Sequence, residues 1–236
     1  MRTVILHYHL FKNAGTSLDT VLKQNFGDRW VTQEFSGQNN TAAVEDWIRN
    51  TPDAVAFSSH TMMGPPPRVD GVRVVSVMLL RDPIARIKSA YRFERQQNVE
   101  TFGAVLARHT DLEGYVKVRL SLPHDRQCRN FQTQRLAALS PGPAPELSRA
   151  MAALDLLGVV GLVSDFGGTL QRLAGMIAQD YPDFRGEEVH DNRTAQRPRE
   201  DDAITDLLRR ENADDLALID HVTRHWDMSA PMAGAV

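Results

Sequence analysis

Six consecutive residues, Lys12, Asn13, Ala14, Gly15, Thr16 and Ser17, place an ammonium, a glycine and two hydroxyls directly after an apolar run from Thr3 to His9. That mixture suits the binding of an anion. A strand that feeds a helix through a glycine-containing turn leaves the first helical N–H groups without intrahelical acceptors, and the helix dipole favours negative charge there. Gly15 lets backbone approach a phosphate, Thr16 and Ser17 add donors, and Lys12 can reach an oxygen of the same group. The plain alternative is a strand-to-helix turn with a solvated lysine.

A second group follows the apolar segment Val72 to Leu80, where Arg81 stands at the carboxyl end of an expected strand. Ligands of open parallel sheets collect at that end, and a guanidinium can hold a phosphate through two parallel bonds. Ser89 lies further along the helix that Asp82 caps and Pro83 starts. Arg81 could instead pair with a surface carboxylate, and Ser89 could be a small packing residue. Between the two groups stands His60, after a short expected strand and before the break Gly64 to Pro67. An imidazole titrates near neutral pH, so His60 is the best candidate for a base that takes a hydroxyl proton. A structural histidine is the competing reading.

The segments HYHLFKNAGTSLDTVL and VSVMLLRDPIARIKSAYRF resemble, in this order, the 5'-phosphosulfate loop and the 3'-phosphate segment of the PAPS-dependent sulfotransferases. They are most similar to the carbohydrate type that contains the heparan sulfate 2-O- and 6-O-sulfotransferases. Weaker similarity continues through NFQTQRL, GVVGLV and the NRT run, while Phe11, Asn13 and Ala14 depart from the more usual Pro, Thr and Gly. The resemblance implies a P-loop-NTPase-like three-layer sulfotransferase fold and PAPS as donor, with no metal required. Adenosine 3',5'-bisphosphate would be the product. It implies donor contacts from Lys12 to Ser17, from Arg81 and Ser89, and from Asn192, Arg193 and Thr194, with Arg197 and Arg199 as further candidates. His60 would be the base, and Lys12 would also stabilise the leaving phosphate. The acceptor would be a hydroxyl, on a carbohydrate or glycolipid.

Other polar residues carry less. His7 and His9 share a strand face, where packing explains them. His221 and His225 have i, i+4 spacing but no third ligand and no HExxH motif. Asp19 and Glu94 are expected on solvated helix faces, and Arg126, Arg129 and Arg135 could steer an anionic acceptor or form surface ion pairs.

The elements that must position these groups alternate strand and helix, which predicts an α/β fold with a central parallel sheet flanked by helices. Strands are expected at Thr3 to His9, Ala54 to Ser58, Val72 to Leu80 and Gly158 to Val163. Helices are expected to about Asn25, at Thr41 to Arg49, to about Gln96, across 101–139, and at Glu146 to Leu157 and Phe166 to Ala178. Two more follow at Asp201 to Arg210 and Asp214 to Trp226. The chain reads as one domain over 1–236, with a tail after 227 expected to fray. Its 236 residues are 42% hydrophobic and 24% charged, which is ordinary globular usage. A net charge of -3 does not suit a general nucleic-acid binder. The sequence contains no apolar run of membrane-spanning length, so any membrane association would be peripheral. Cys128, the single cysteine, fits a reducing, cytoplasmic setting. GxxxxGK[ST] is absent and no magnesium-binding carboxylate is evident. This weighs against the main rival, a P-loop-like kinase or other phosphoryl transferase. A non-catalytic nucleotide-binding module is the other alternative.

Overall fold

Side chains that favour a pleated, half-buried surface form the centre of the molecule. A computed structural model describes residues 1–187 and 202–228. In it β1 (Arg2–Tyr8) and β4 (Val72–Leu80), both rich in Val, Ile and Leu, pair along seven positions. Strand β3 (Ala56–Ser59) flanks β1 on its other side, with β2 (Trp30–Thr32) beyond it, and β5 (Val159–Leu162) lies outside β4. The order is β2-β3-β1-β4-β5, and every pairing is parallel. The short strand β2 has no counterpart among the sequence expectations.

Alternation along the strands sorts the core onto two faces. Val4, Leu6, Tyr8, Met78 and Leu80 meet Val44 and Ile48 of α2 (Thr41–Asn50), Leu136 of α6 (Phe131–Ala137), Ala150 of α7 (Glu146–Leu154) and Leu218 of α10 (Ala213–Met228). Ile5, Val75, Val77 and Leu79 meet Leu18 and Leu22 of α1 (Gly15–Phe26) and Leu170 and Leu173 of α8 (Phe166–Ile177). The result is helix, sheet, helix. A further apolar cluster joins α3 (Pro83–Gln96), α4 (Phe102–His109), α5 (Leu112–Ser121) and α9 (Asp202–Glu211) through Ile87, Tyr91, Ala107, Tyr115, Val116 and Leu208. Asp82 caps α3 by accepting from the Ala85 amide at 2.7 Å, with Pro83 in the first turn, as the sequence predicts.

Register fixes where function can sit. Tyr8 lies opposite both Ser59 and Met78, so β1, β3 and β4 end at one edge of the sheet. The chain also crosses from β3 to the other side of β1 when it enters β4. In an open parallel sheet the carboxyl edge at such a reversal forms the ligand crevice. Lys12, His60 and Arg81 all follow strands that end there.

Candidate active site

The loop between β1 and α1 is held in a backbone shape that bulky residues resist. Lys12 (φ 63°) and Ala14 (φ 56°) both occupy the left-handed region, at a cost of about 1–2 kcal/mol per non-glycine residue. The buried Asn13 side chain restrains the turn between them, donating to the carbonyl of Leu79 and to Gln132 Oε1, each at 2.7 Å. Not every amide of the turn faces outward: Asn13 N–H bonds Leu10 O and Ser17 N–H bonds Ala14 O. The amides of Lys12, Ala14, Gly15 and Thr16 have no acceptor among the described residues. They form the open rim of a helix N-terminus, where backbone N–H groups suit an anion.

Arg81 reaches this rim. Its Nη1 donates to the Lys12 carbonyl at 3.0 Å, and its backbone N–H donates to Gln132 Oε1 at 2.8 Å. Gln132 Nε2 returns a bond to the Arg81 carbonyl at 2.8 Å, so one buried glutamine ties both phosphate-binding candidates together. Arg92, exposed on α3, is a residue the sequence analysis missed. It lies close enough to Lys12 and Arg81 to disfavour their charges. Burial first, then Arg81 and Arg92, lowers the pKa of Lys12, and burial followed by Arg92 lowers that of Arg81. None of the three cations has a carboxylate partner within salt-bridge distance among the described residues. Lys12 Nζ instead lies 4.3 Å from the ring centre of Phe93. Ser89, half-buried, precedes Arg92 and Phe93 by about one turn of the same helix, the spacing at which side chains share a face.

His60 approaches the rim through a stack of rings. Its imidazole lies 3.9 Å from that of His9, which lies 5.1 Å from that of His7. A Cβ on Gly15 would stand 2.0 Å from His9 Cδ2, so Gly15 gives up its side-chain space to this ring. The stack therefore links His60 to the first residue of α1. Asp19, expected on a solvated face, instead clamps the stack from α1: Oδ1 accepts from His7 Nδ1 at 2.8 Å and Oδ2 from His9 Nδ1 at 2.9 Å. The cluster His7, His9 and Asp19 contains metal-ligating residue types. However, the two rings are only 18° from parallel and use different carboxylate oxygens, the geometry of a hydrogen-bond clamp. Burial, opposed by Asp19, leaves the His7 pKa below 6.5.

Glu34, also missed from sequence, receives His60 Nδ1 at 2.7 Å, Thr61 Oγ1 at 2.7 Å, Ser59 Oγ at 3.1 Å and the His60 amide at 3.1 Å. Partial burial alone would raise the Glu34 pKa. The bonds from Thr61, His60 and Ser59 outweigh it and hold the carboxyl at about 2.

Of the remaining candidates, Arg135 alone touches the His60 segment among the described residues. Arg126 pairs with Glu146 and Arg129 with Glu211, while Arg135 donates to the carbonyls of His60 and Met62 at 2.8 and 2.9 Å. Glu94 is not solvated: it accepts from Arg119 and from the Tyr115 hydroxyl inside the helical cluster. His221 and His225 stack on each other along a groove of about 560 Å³ at the amino end of β5, away from the carboxyl edge. Asn192, Arg193 and Thr194, with Arg197 and Arg199, lie outside the described residues.

An uncharacterized protein of Archaeoglobus fulgidus (strain ATCC 49558 / DSM 4304 / JCM 9628 / NBRC 100126 / VC-16) is 38% identical to this chain over 202 residues, covering 81% of this chain and 79% of that protein. The chain belongs to the family of that archaeal protein. No family model matches it. Among solved structures, the crystal structure of a sulfotransferase from Alicyclobacillus acidocaldarius is similar at 16% identity and a TM-score of 0.43, over 94% of this chain and 96% of that one. No helix among the described residues is long and apolar enough to cross a membrane.

Proposed function

We propose that the protein is a PAPS-dependent O-sulfotransferase that moves a sulfuryl group to an acceptor hydroxyl, on a carbohydrate or glycolipid, and releases adenosine 3',5'-bisphosphate. The observation that carries this reading is the convergence of Lys12, Arg81 and Arg92, none paired with a carboxylate among the described residues, beside the open amides of α1. Three cations gathered at one sheet edge, with no carboxylate in salt-bridge distance among the described residues, suit a ligand with more than one anionic group. A nucleotide with a 5'-phosphosulfate and a 3'-phosphate fits that demand. The α1 rim and Lys12 would take the 5' end, and Arg81, Arg92 and Ser89 the 3' end.

In this reading the acceptor oxygen attacks sulfur, the bond from sulfur to the 5'-phosphate oxygen breaks, and His60 takes the hydroxyl proton. Lys12 and the amides of Ala14, Gly15 and Thr16 stabilise the charge that gathers on the departing phosphate. Asn13 acts on the loop's shape through its side chain.

The test follows release of adenosine 3',5'-bisphosphate from PAPS in the presence of mixed carbohydrate and glycolipid acceptors. Wild type is expected to turn over. His60→Ala is expected to keep nucleotide affinity and lose the roughly 10²–10⁴-fold that a general base contributes. Equal turnover by the two proteins would remove His60 from the mechanism. Magnesium-dependent phosphoryl transfer from ATP would replace the reading with a kinase.

A further inference from the structure

We infer that Glu34 is a positioning residue for His60: it holds the imidazole in the Nδ1–H tautomer and so leaves Nε2 as the lone-pair nitrogen that receives the acceptor proton. The inference rests on the sulfotransferase reading for the identity of that proton, and on local geometry for the tautomer. A carboxylate only accepts hydrogen bonds, so the 2.7 Å contact from His60 Nδ1 to Glu34 Oε1 places the proton on Nδ1. Nε2 has no partner among the described residues.

The surrounding contacts make the carboxylate a fixture. Donors from three consecutive residues, Ser59, His60 and Thr61, converge on Glu34, although its side chain is 48% exposed. The Phe35 amide reaches back to Thr61 Oγ1 at 2.6 Å, which stitches the segment after β2 to the segment after β3. Arg135 holds the same stretch from the other side through the carbonyls of His60 and Met62. His9 covers one face of the His60 ring, 29° from parallel, and is itself fixed by Asp19. Ring plane, depth and tautomer are thus set by three neighbours, and only Glu34 sets the tautomer. A base oriented by a third group is a recurring arrangement where histidine activates a nucleophile.

The experiment is a long-range ¹H–¹⁵N spectrum of the histidine rings in the full chain at a pH where His60 is neutral, with His60→Gln assigning the resonances. Wild type is expected to show a protonated Nδ1 and a bare Nε2. Glu34→Ala is expected to shift His60 toward the Nε2–H form and to lower turnover with nucleotide affinity unchanged. Should Glu34→Ala misfold, the near-isosteric Glu34→Gln gives the same readout, because the Ser59 and Thr61 hydroxyls that meet Oε2 keep the carbonyl on their side and leave the amide NH₂ facing Nδ1. In a His60→Ala background, Glu34→Ala is expected to cost no further turnover. An Nε2–H wild-type ring, an unchanged tautomer in both Glu34 variants, or additive losses in the double variant would overturn the assignment. The tautomer is read without substrate, so failure of the sulfotransferase reading would show in turnover and leave the spectrum intact.

Discussion

The guanidinium of Arg81 donates to the backbone carbonyl of Lys12 at 3.0 Å, joining residues that lie 69 positions apart in the chain. The contact puts the end of β4 against the turn after β1, so the two phosphate-binding candidates meet at one edge of the sheet. Arg92 adds a third positive charge to it.

Arg81→Ala and Arg92→Ala are each expected to weaken adenosine 3',5'-bisphosphate binding by about ten- to a hundredfold, the scale of one lost charge-assisted bond. Adenosine 5'-phosphate, which lacks the 3'-phosphate, should lose little affinity in either variant. Calorimetry of both ligands on both variants checks this; equal losses for the two nucleotides would move Arg92 away from the 3' end.

Ala14 adopts φ 56° in the turn. Ala14→Gly is expected to stabilise the folded protein by up to about 1–2 kcal/mol through relief of the left-handed strain, offset in part by the greater freedom of glycine in the unfolded chain. Urea denaturation reads the change, and destabilisation would contradict the strain argument.

Gly15→Ala works in the opposite direction. Its Cβ would overlap the His9 ring, so the variant is expected to lose about 1–3 kcal/mol by overpacking and to displace His60 with His9. Thermal unfolding and turnover should fall together. Full stability in the variant would mean that His9 can move away freely.

Acid should weaken the fold in two steps of the same sign. His7 in the folded state has a pKa below 6.5, so below about pH 6.5 the unfolded chain binds a proton that the folded chain refuses, and stability falls as pH drops. Glu34 adds a second loss between its ordinary 4.5 and its folded value of about 2, because its carboxylate must be protonated there. Melting temperatures from pH 7 to 3 check the slope, and a flat profile between pH 7 and 5 would contradict a neutral buried His7.

Much of this was legible in the residues. The placement of Lys12, Gly15 and Arg81 after strand ends was legible because strand, turn and helix signals lie within a few positions of each, and Asp82 and Pro83 marked the start of α3 as found. Asp19 and Glu94 were misjudged because their partners are distant or on other elements: Asp19 meets histidines 10 and 12 residues away across the β1–α1 turn, and Glu94 meets Arg119 on α5. Glu34 was invisible for the same reason. It stands in a polar stretch with no periodicity, and its value comes from donors 25 to 27 residues later. β2 is three residues long, too short to leave an alternation in the sequence.

The account depends most on one ligand spanning the α1 rim and the arginine pair. Calorimetric titration of wild type and of a Lys12→Ala, Arg81→Ala double variant with adenosine 3',5'-bisphosphate, set against ATP with magnesium, tests this directly. The account predicts one site per chain on wild type, preference for the bisphosphate without metal, and loss of that binding in the double variant. Tighter binding of ATP with magnesium, or undiminished bisphosphate binding by the double variant, would contradict it.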